Sequence, residues 1–402
     1  MRRLFYIALV SFFLIGCFNT KSDNKMIDLS NMSISDIKEY AKDNKLKLQI
    51  VESYDDEIEK DKVISQSIKS GTIIKENDIL TIEISLGKTP IALYKEHKVN
   101  ELGKVPIMMY HGIKDVPSEE TQYTGGNFDR DGYSRTSEAF RNDLEMYYQK
   151  GYRMVRLIDY MNGNIDTELG KSPIVLTFDD GNDNNFKVTG IDEDGNLIID
   201  PNCAVGILEE YKKKYNDFNV TATFFLNSGL FGQPKYNKQI IKWLVDNGYD
   251  IGNHTKNHVN FKDVDEFRTQ EEIAYMYELF DEIIPNKYVK VIALPYGSPG
   301  KKDHPNFPYI LEGSSDGYSY KTEGTLQVGW TYEYSPYHKN FDKTFIKRIR
   351  AWDNNGEDHD IQMTFTNLEK SRYISDGDKD TIVVPDDSNV NVDIKDKKVI
   401  KY

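Results

Sequence analysis

The run Ile174-Val175-Leu176-Thr177-Phe178-Asp179-Asp180-Gly181 decides the fold. Residues suited to a buried strand end abruptly in two carboxylates and a glycine. The stretch therefore reads as a strand covered on both faces that delivers two acids to the rim of a sheet, with Gly181 opening the turn. Further along, His254-Thr255-Lys256-Asn257-His258 sets two imidazoles four residues apart, behind the strand-like Tyr249-Asp250-Ile251-Gly252. Asp180, His254 and His258 together offer three ligands to a divalent metal that keeps one position open for water. That is the pattern of a catalytic zinc site rather than a structural one. Asp179 is left over as a base.

Outward from these motifs, strands alternate with helices. Ala222-Thr223-Phe224-Phe225 is a matching strand between them, Val105 to Gly112 predicts an earlier strand, and Val289 to Ile292 a later one. Apolar periodicity predicts a helix over Glu138–Gln149, with Phe140, Leu144 and Tyr147 or Tyr148 inward and Gly151 as its stop. A second helix is predicted over Lys238–Asn247, with Ile240, Ile241, Leu244 and Val245 apolar and Gly248 following. Such alternation implies an α/β fold with a parallel sheet. One insertion, Lys187 to Asn202, reads as a β-hairpin turning at Asp194-Gly195-Asn196. Leaving directly after the Asp pair, it is expected to overhang the rim of the site, either shaping access or standing by.

On Thr177-Phe178-Asp179-Asp180-Gly181 and His254-Thr255-Lys256-Asn257-His258, the chain resembles the NodB-homology polysaccharide deacetylases, carbohydrate esterases that remove acetyl groups from glycans. The resemblance implies a distorted (β/α) barrel with reactive side chains at the C-terminal ends of its strands. It implies Asp179 as general base and Asp180, His254 and His258 as metal ligands, zinc being the metal expected. The family's third motif, R-x-P-Y, is present only in part, as Ala293-Leu294-Pro295-Tyr296-Gly297. Pro295 and Tyr296 carry over, the Tyr296 N–H to the oxyanion hole and Pro295 to substrate binding. The arginine that would pair with the base is Ala293, and Arg153 or Arg156 is conceivable in its place. Val328-Gly329-Trp330 resembles the fourth motif, making Trp330 either a wall of the acetyl pocket or a core residue. The final L-x-H motif is absent, so the general acid is open among His359, His338 and His111, the last standing in Tyr110-His111-Gly112 where a first barrel strand would end.

Ahead of this domain lies a smaller α+β unit. A Ser33-capped helix to Asn44 is followed by strands at Leu46–Val51, Val63–Gln66 and Ile79–Ser85, where Leu80, Ile82 and Ile84 alternate with polar partners. Lys62-Val63-Ile64-Ser65-Gln66, Ser70-Gly71-Thr72 and Leu86-Gly87-Lys88 make it similar to a PASTA domain, a module often associated with peptidoglycan. Its Ile68 stands where that family commonly has proline. The divisions read from sequence are a leader over 1–17, the PASTA-like unit over 24–87, a polar linker over 88–104 broken by Pro90, and the deacetylase-like domain over 105–402.

The leader is Met1-Arg2-Arg3 followed by a short apolar stretch, Leu4 to Ile15, ending Leu14-Ile15-Gly16-Cys17. This is a signal-peptide pattern, and its end resembles a bacterial lipoprotein processing site, implying a lipidated Cys17 anchored on the extracytoplasmic face of the membrane. With only two cysteines, Cys17 and Cys203, a lipidated Cys17 excludes a disulfide framework. A net charge of −14 argues against nucleic acid and against electrostatic docking to a membrane. These readings combine into a metal-dependent N-deacetylase of cell-envelope glycan, peptidoglycan N-acetylglucosamine being favoured by location. The alternatives are a deacetylase of another glycan, such as poly-N-acetylglucosamine or an O-acetylated polymer, and a non-catalytic wall-binding lipoprotein, which Ala293 and the missing last motif would suit.

Overall fold

The computed structural model describes residues 24–120, 133–388 and 397–402; the leader and Cys17 lie outside these residues. The chain divides into two compact units, with the boundary between Leu93 and Tyr94. No helix among the described residues is long and apolar enough to cross a membrane.

In the smaller unit a helix, Ile34–Asp43, starts where the Ser33 side chain accepts a hydrogen bond from the Asp36 N–H. Its apolar side lies on a three-stranded sheet in which Ile79–Ser85 is central, parallel to Lys47–Ser53 and antiparallel to Val63–Gln66. The alternation of the central strand is realised, because Leu80, Ile82 and Ile84 are buried with Leu29, Ile37 and Ala41. Each such leucine or isoleucine contributes about 1.5–3 kcal/mol on burial.

Residues 88–104 are not the irregular linker that their composition predicts. Pro90–His97 is a helix. Proline in the first turn loses no hydrogen bond that the helix would make, and the Thr89 hydroxyl accepts from the Ala92 N–H to cap it. Past this helix, Val99 and Glu101 are buried in the larger unit, and Lys104–Val105 pairs with Glu333–Tyr334. The larger unit thus begins ahead of Val105.

Its main sheet has eight strands among the described residues. Seven form the barrel: β1 (Ile107–Tyr110), β2 (Ser172–Phe178), β3 (Thr223–Leu226), β4 (Asp250–Asn253), β5 (Val291–Ala293), β6 (Gly324–Leu326) and β7 (Ile349–Arg350). They follow one another in the order β6-β5-β4-β3-β2-β1-β7, every neighbouring pair parallel. A parallel bridge from Leu326 to Ile346, just ahead of β7, ties one edge to the other and closes the barrel. Inner positions Ile107, Val175, Phe225, Ala293 and Leu326 pack with one another. Outward positions Met108, Leu176, Phe224 and Ile251 pack under helices α1 (Ser137–Gln149), α2 (Ala204–Lys214), α3 (Asn237–Asp246) and α4 (Glu266–Ile283). Burial of Phe140, Leu144 and Tyr147 in α1, and of Ile240, Ile241 and Leu244 in α3, follows the predicted periodicity.

The insertion after the Asp pair is the expected hairpin, Val188–Ile191 against Leu197–Ile199. It lies along the outer helices, where Leu197 and Ile199 share a cavity of about 780 Å³ with Glu209, Lys213 and Trp243. The apolar residues of its second strand draw it onto that layer.

Candidate active site

Each strand of the barrel is covered on both faces, so its chemistry is confined to the C-terminal ends. At the end of β2, Asp179 is 1 % exposed and its N–H bonds to the Tyr110 carbonyl. Asp180 takes φ +75° and Gly181 +63°. A Cβ on Gly181 would stand 2.2 Å from the Leu230 carbonyl oxygen, so only glycine lets the chain turn here.

Burial opposes charge on Asp179, but a guanidinium outweighs it. Arg348, itself 0 % exposed, grips the carboxylate with both terminal nitrogens, Nη1 to Oδ1 at 2.8 Å and Nη2 to Oδ2 at 2.7 Å. It also donates from Nη1 to Thr177 Oγ1 and from Nε to the Gln327 carbonyl, so all three nitrogens are used. Together with His254 it holds the Asp179 carboxyl well below the usual range. The cation missing at Ala293 is therefore supplied from the segment leading into β7. Neither arginine foreseen for this role supplies it: Arg153 pairs with Asp217 and Arg156 with Asp250. The stretch Ile346-Lys347-Arg348-Ile349-Arg350 matches no motif; only the alternation of Arg348 and Arg350 with isoleucines marks an inward-facing cation.

Asp180, His254 and His258 converge as predicted, their ligand atoms all within 4.8 Å of one another. The chemistry of the donors fits a cation. His254 Nδ1 lies 2.7 Å from the Ala293 carbonyl oxygen, which can only accept, so Nδ1 carries a proton. Its Nε2 is buried, makes no hydrogen bond, and faces Asp180 Oδ1 at 3.2 Å. In a neutral ring that is a lone pair turned on a carboxylate. A second proton resolves the conflict, and Asp180 and Asp179 favour it against the cost of burial; a divalent cation between the groups resolves it equally. His258 Nε2 is 3.4 Å from the same oxygen. The His254 pKa is raised and that of His258 lowered, in His258 by burial first and by His254 next, so the two rings do not both stay protonated near neutrality.

Tyr296, with φ +57°, turns the chain after β5, and its exposed ring stands 4.6 Å from that of His258. Pro295 is buried beside it. The three candidate acids separate cleanly. His111 Nε2 is 3.9 Å from Asp179 Oδ2, and burial pushes its pKa down to about 4. His359 lies 5.1 Å from Trp330. Trp330 in turn faces the Arg350 guanidinium at 4.6 Å, and Arg350 faces Tyr133, whose ring meets His111 edge-on at 4.7 Å. Trp330 and His359 are thereby joined to the site by one aromatic and cationic wall. His338 is not: it stacks on Tyr334, which pairs with Lys104 ahead of β1, at the opposite end of the strands.

Residues 24–86 match the family described as PASTA domain, and residues 166–304 the family described as polysaccharide deacetylase. No curated protein matches. Among solved structures, the chain is similar to the deacetylase PplD of Streptococcus pyogenes in complex with acetate, at 18% identity over 65% of this chain and 98% of that one, with TM-score 0.46. It is similar to a polysaccharide deacetylase from Bacillus cereus at 19% identity, covering 62% and 65% of the two chains, with TM-score 0.43. A de-N-acetylase from Aggregatibacter actinomycetemcomitans gives 14% identity, 66% and 99% coverage, and TM-score 0.42.

Proposed function

We propose a substrate and a mechanism for this chain, which belongs to the polysaccharide deacetylases and carries a PASTA domain: it hydrolyses the N-acetyl amide of N-acetylglucosamine in peptidoglycan, from a lipid anchor at Cys17 on the outer face of the membrane. The observation that carries the chemistry is the union of an ionised, arginine-clamped Asp179 with a three-ligand set whose His254 Nε2 makes no hydrogen bond and faces the Asp180 carboxylate at 3.2 Å.

A divalent cation, zinc in this reading, would be held by Asp180, His254 and His258 and would supply water acidification and polarisation of the acetyl carbonyl. Asp179 accepts the proton of the attacking water, and Arg348 keeps that carboxylate ionised and fixed in orientation. The N–H of Tyr296, whose ring stands against that of His258, donates to the oxygen on which charge develops. His111, neutral at rest, takes the proton on from Asp179 and gives it to the departing amine. Trp330, with Tyr133 and Arg350, forms the wall along which the sugar lies.

The PASTA domain supports peptidoglycan over a secreted polymer, because it adds a second wall-directed element to the same chain. A non-catalytic reading loses one of its two supports, since Arg348 takes the place of the motif arginine. The test is a substrate panel. Purified peptidoglycan, poly-N-acetylglucosamine and an O-acetylated polymer are incubated with the soluble chain after Cys17, and acetate is measured. Peptidoglycan is expected to release acetate fastest; a preference for either other polymer would move the substrate, and no release from any would favour a binding role.

A further inference from the structure

The loop between the two histidines is held in an unfavourable shape by a group that the reaction does not use. Thr255 and His258 take φ +65° and +54°; for a β-branched residue such as Thr255 this is a genuine outlier that the surroundings must impose. The surroundings are helix α4. Asn253 Nδ2 donates to the Ile273 carbonyl while its Oδ1 accepts from the Thr255 N–H. The Lys256 N–H donates to the Glu272 carbonyl. The Glu272 carboxylate, 0 % exposed, accepts twice from Asn257, with Oε2 from its N–H at 2.6 Å and with Oε1 from its Nδ2 at 2.8 Å, and Oε1 is paired as well with Arg268. A buried carboxylate is costly, and here it is committed to the residue immediately before His258. His254 is also fixed from behind, by the Ala293 carbonyl. The His258 ring is set by its backbone and by ring contacts with His254 and Tyr296.

We infer that Glu272 is a positioning residue for the metal site, holding the His258 imidazole on Asp180 through its two hydrogen bonds to Asn257. The inference rests on the reading of Asp180, His254 and His258 as metal ligands. Partners one step behind a ligand commonly govern affinity by about 10–100-fold.

The test is equilibrium binding of Co²⁺, followed by its visible absorption, and of Zn²⁺ by competition with a chelator, on metal-free protein well below its melting temperature. Glu272→Gln keeps the size of the side chain but faces Asn257 and Arg268 with a donor; it is expected to weaken Co²⁺ binding by about 10–100-fold, with turnover recovering at saturating metal. Glu271→Gln is the control. Glu271 lies on the same turn and pairs with Lys256 and Arg268 without touching Asn257, so its loss should leave affinity unchanged. Asn257→Ala, a change at an exposed residue, serves if Glu272→Gln does not fold, and should weaken binding several-fold. Wild-type affinity in Glu272→Gln or Asn257→Ala, or an equal loss in Glu271→Gln, overturns the positioning role. Failure of the unmodified protein to bind either metal overturns the metal site itself, and the positioning role with it.

Discussion

Replacing Arg348 by alanine isolates the contact on which the ionisation of the base depends. Arg348 and Asp179 are both fully buried and joined by two hydrogen bonds of 2.7–2.8 Å. Removing one partner of such a pair leaves an uncompensated buried charge, which costs about 3–5 kcal/mol. Against a total stability of about 5–15 kcal/mol, the variant is expected to fold but to melt early. The remaining effect falls on Asp179. With Arg348 present its carboxyl titrates far below neutrality, so the proposed base is ionised at neutral pH. Without it, burial is opposed chiefly by His254, and the carboxyl takes up a proton as pH falls. About 3–5 kcal/mol corresponds to about 2–4 pH units, so a protonation that lies below the assayed range with Arg348 present should rise into it and appear as an acidic limb of kcat/KM. The assay is acetate release across pH 4–9 with metal saturating, which separates ionisation of the base from metal loading. Because Ala293 is buried in the same barrel interior, adding Ala293→Arg to Arg348→Ala should return part of the rate by restoring a cation from β5. An unchanged pH profile in Arg348→Ala would refute the claim that this arginine sets the state of the base.

Three further outcomes are expected. Glu101 is buried against Asp376, and burial first and Asp376 second raise its pKa from 4.5 to about 8, although Tyr373 and the Val383 N–H bond to it. A raised carboxyl binds its proton more tightly in the folded state, so its contribution is complete below pH 4.5 and is lost as pH rises to about 8; melting temperatures of Glu101→Gln should lack this decline over the same window. Gly181→Ala should cost at least about 1–2 kcal/mol from backbone conformation alone, more from the 2.2 Å approach of Leu230, read as a lowered melting temperature and slower turnover. His111→Gln should lower kcat by about 10²–10⁴-fold as loss of a proton-transfer group, while His338→Gln, at the far end of the barrel, should leave kcat unchanged.

What the sequence made legible was whatever is written locally. Asp179 and Asp180 directly follow an apolar strand, and His254 and His258 lie within one loop, so strand ends and the candidate ligand set could be read before any tertiary contact was known. Arg348 could not be, because its meaning comes from β7 lying parallel to β1 on the far side of Asp179 from β3, a relation between segments distant in the chain. The same holds for Glu272, whose place in α4 carries no motif, and for Tyr133, which joins His111 to Arg350. The helix over Pro90–His97 is hidden in the sequence because proline ordinarily breaks a helix, whereas here Thr89 and Pro90 together start one. The hairpin was recognised as a hairpin, but its docking side depends on which surface Leu197 and Ile199 can cover, and that surface is built by α2 and α3.

The central claim, metal-dependent removal of acetyl groups with Asp179 as base, is tested most directly by acetate release from purified peptidoglycan. The soluble chain after Cys17 would be assayed with added zinc, with chelator, and as Asp179→Asn. The account predicts release with zinc, loss with chelator that zinc restores, and no release from an Asp179→Asn variant that still binds the metal. Release that persists in chelator, or in Asp179→Asn, would contradict it.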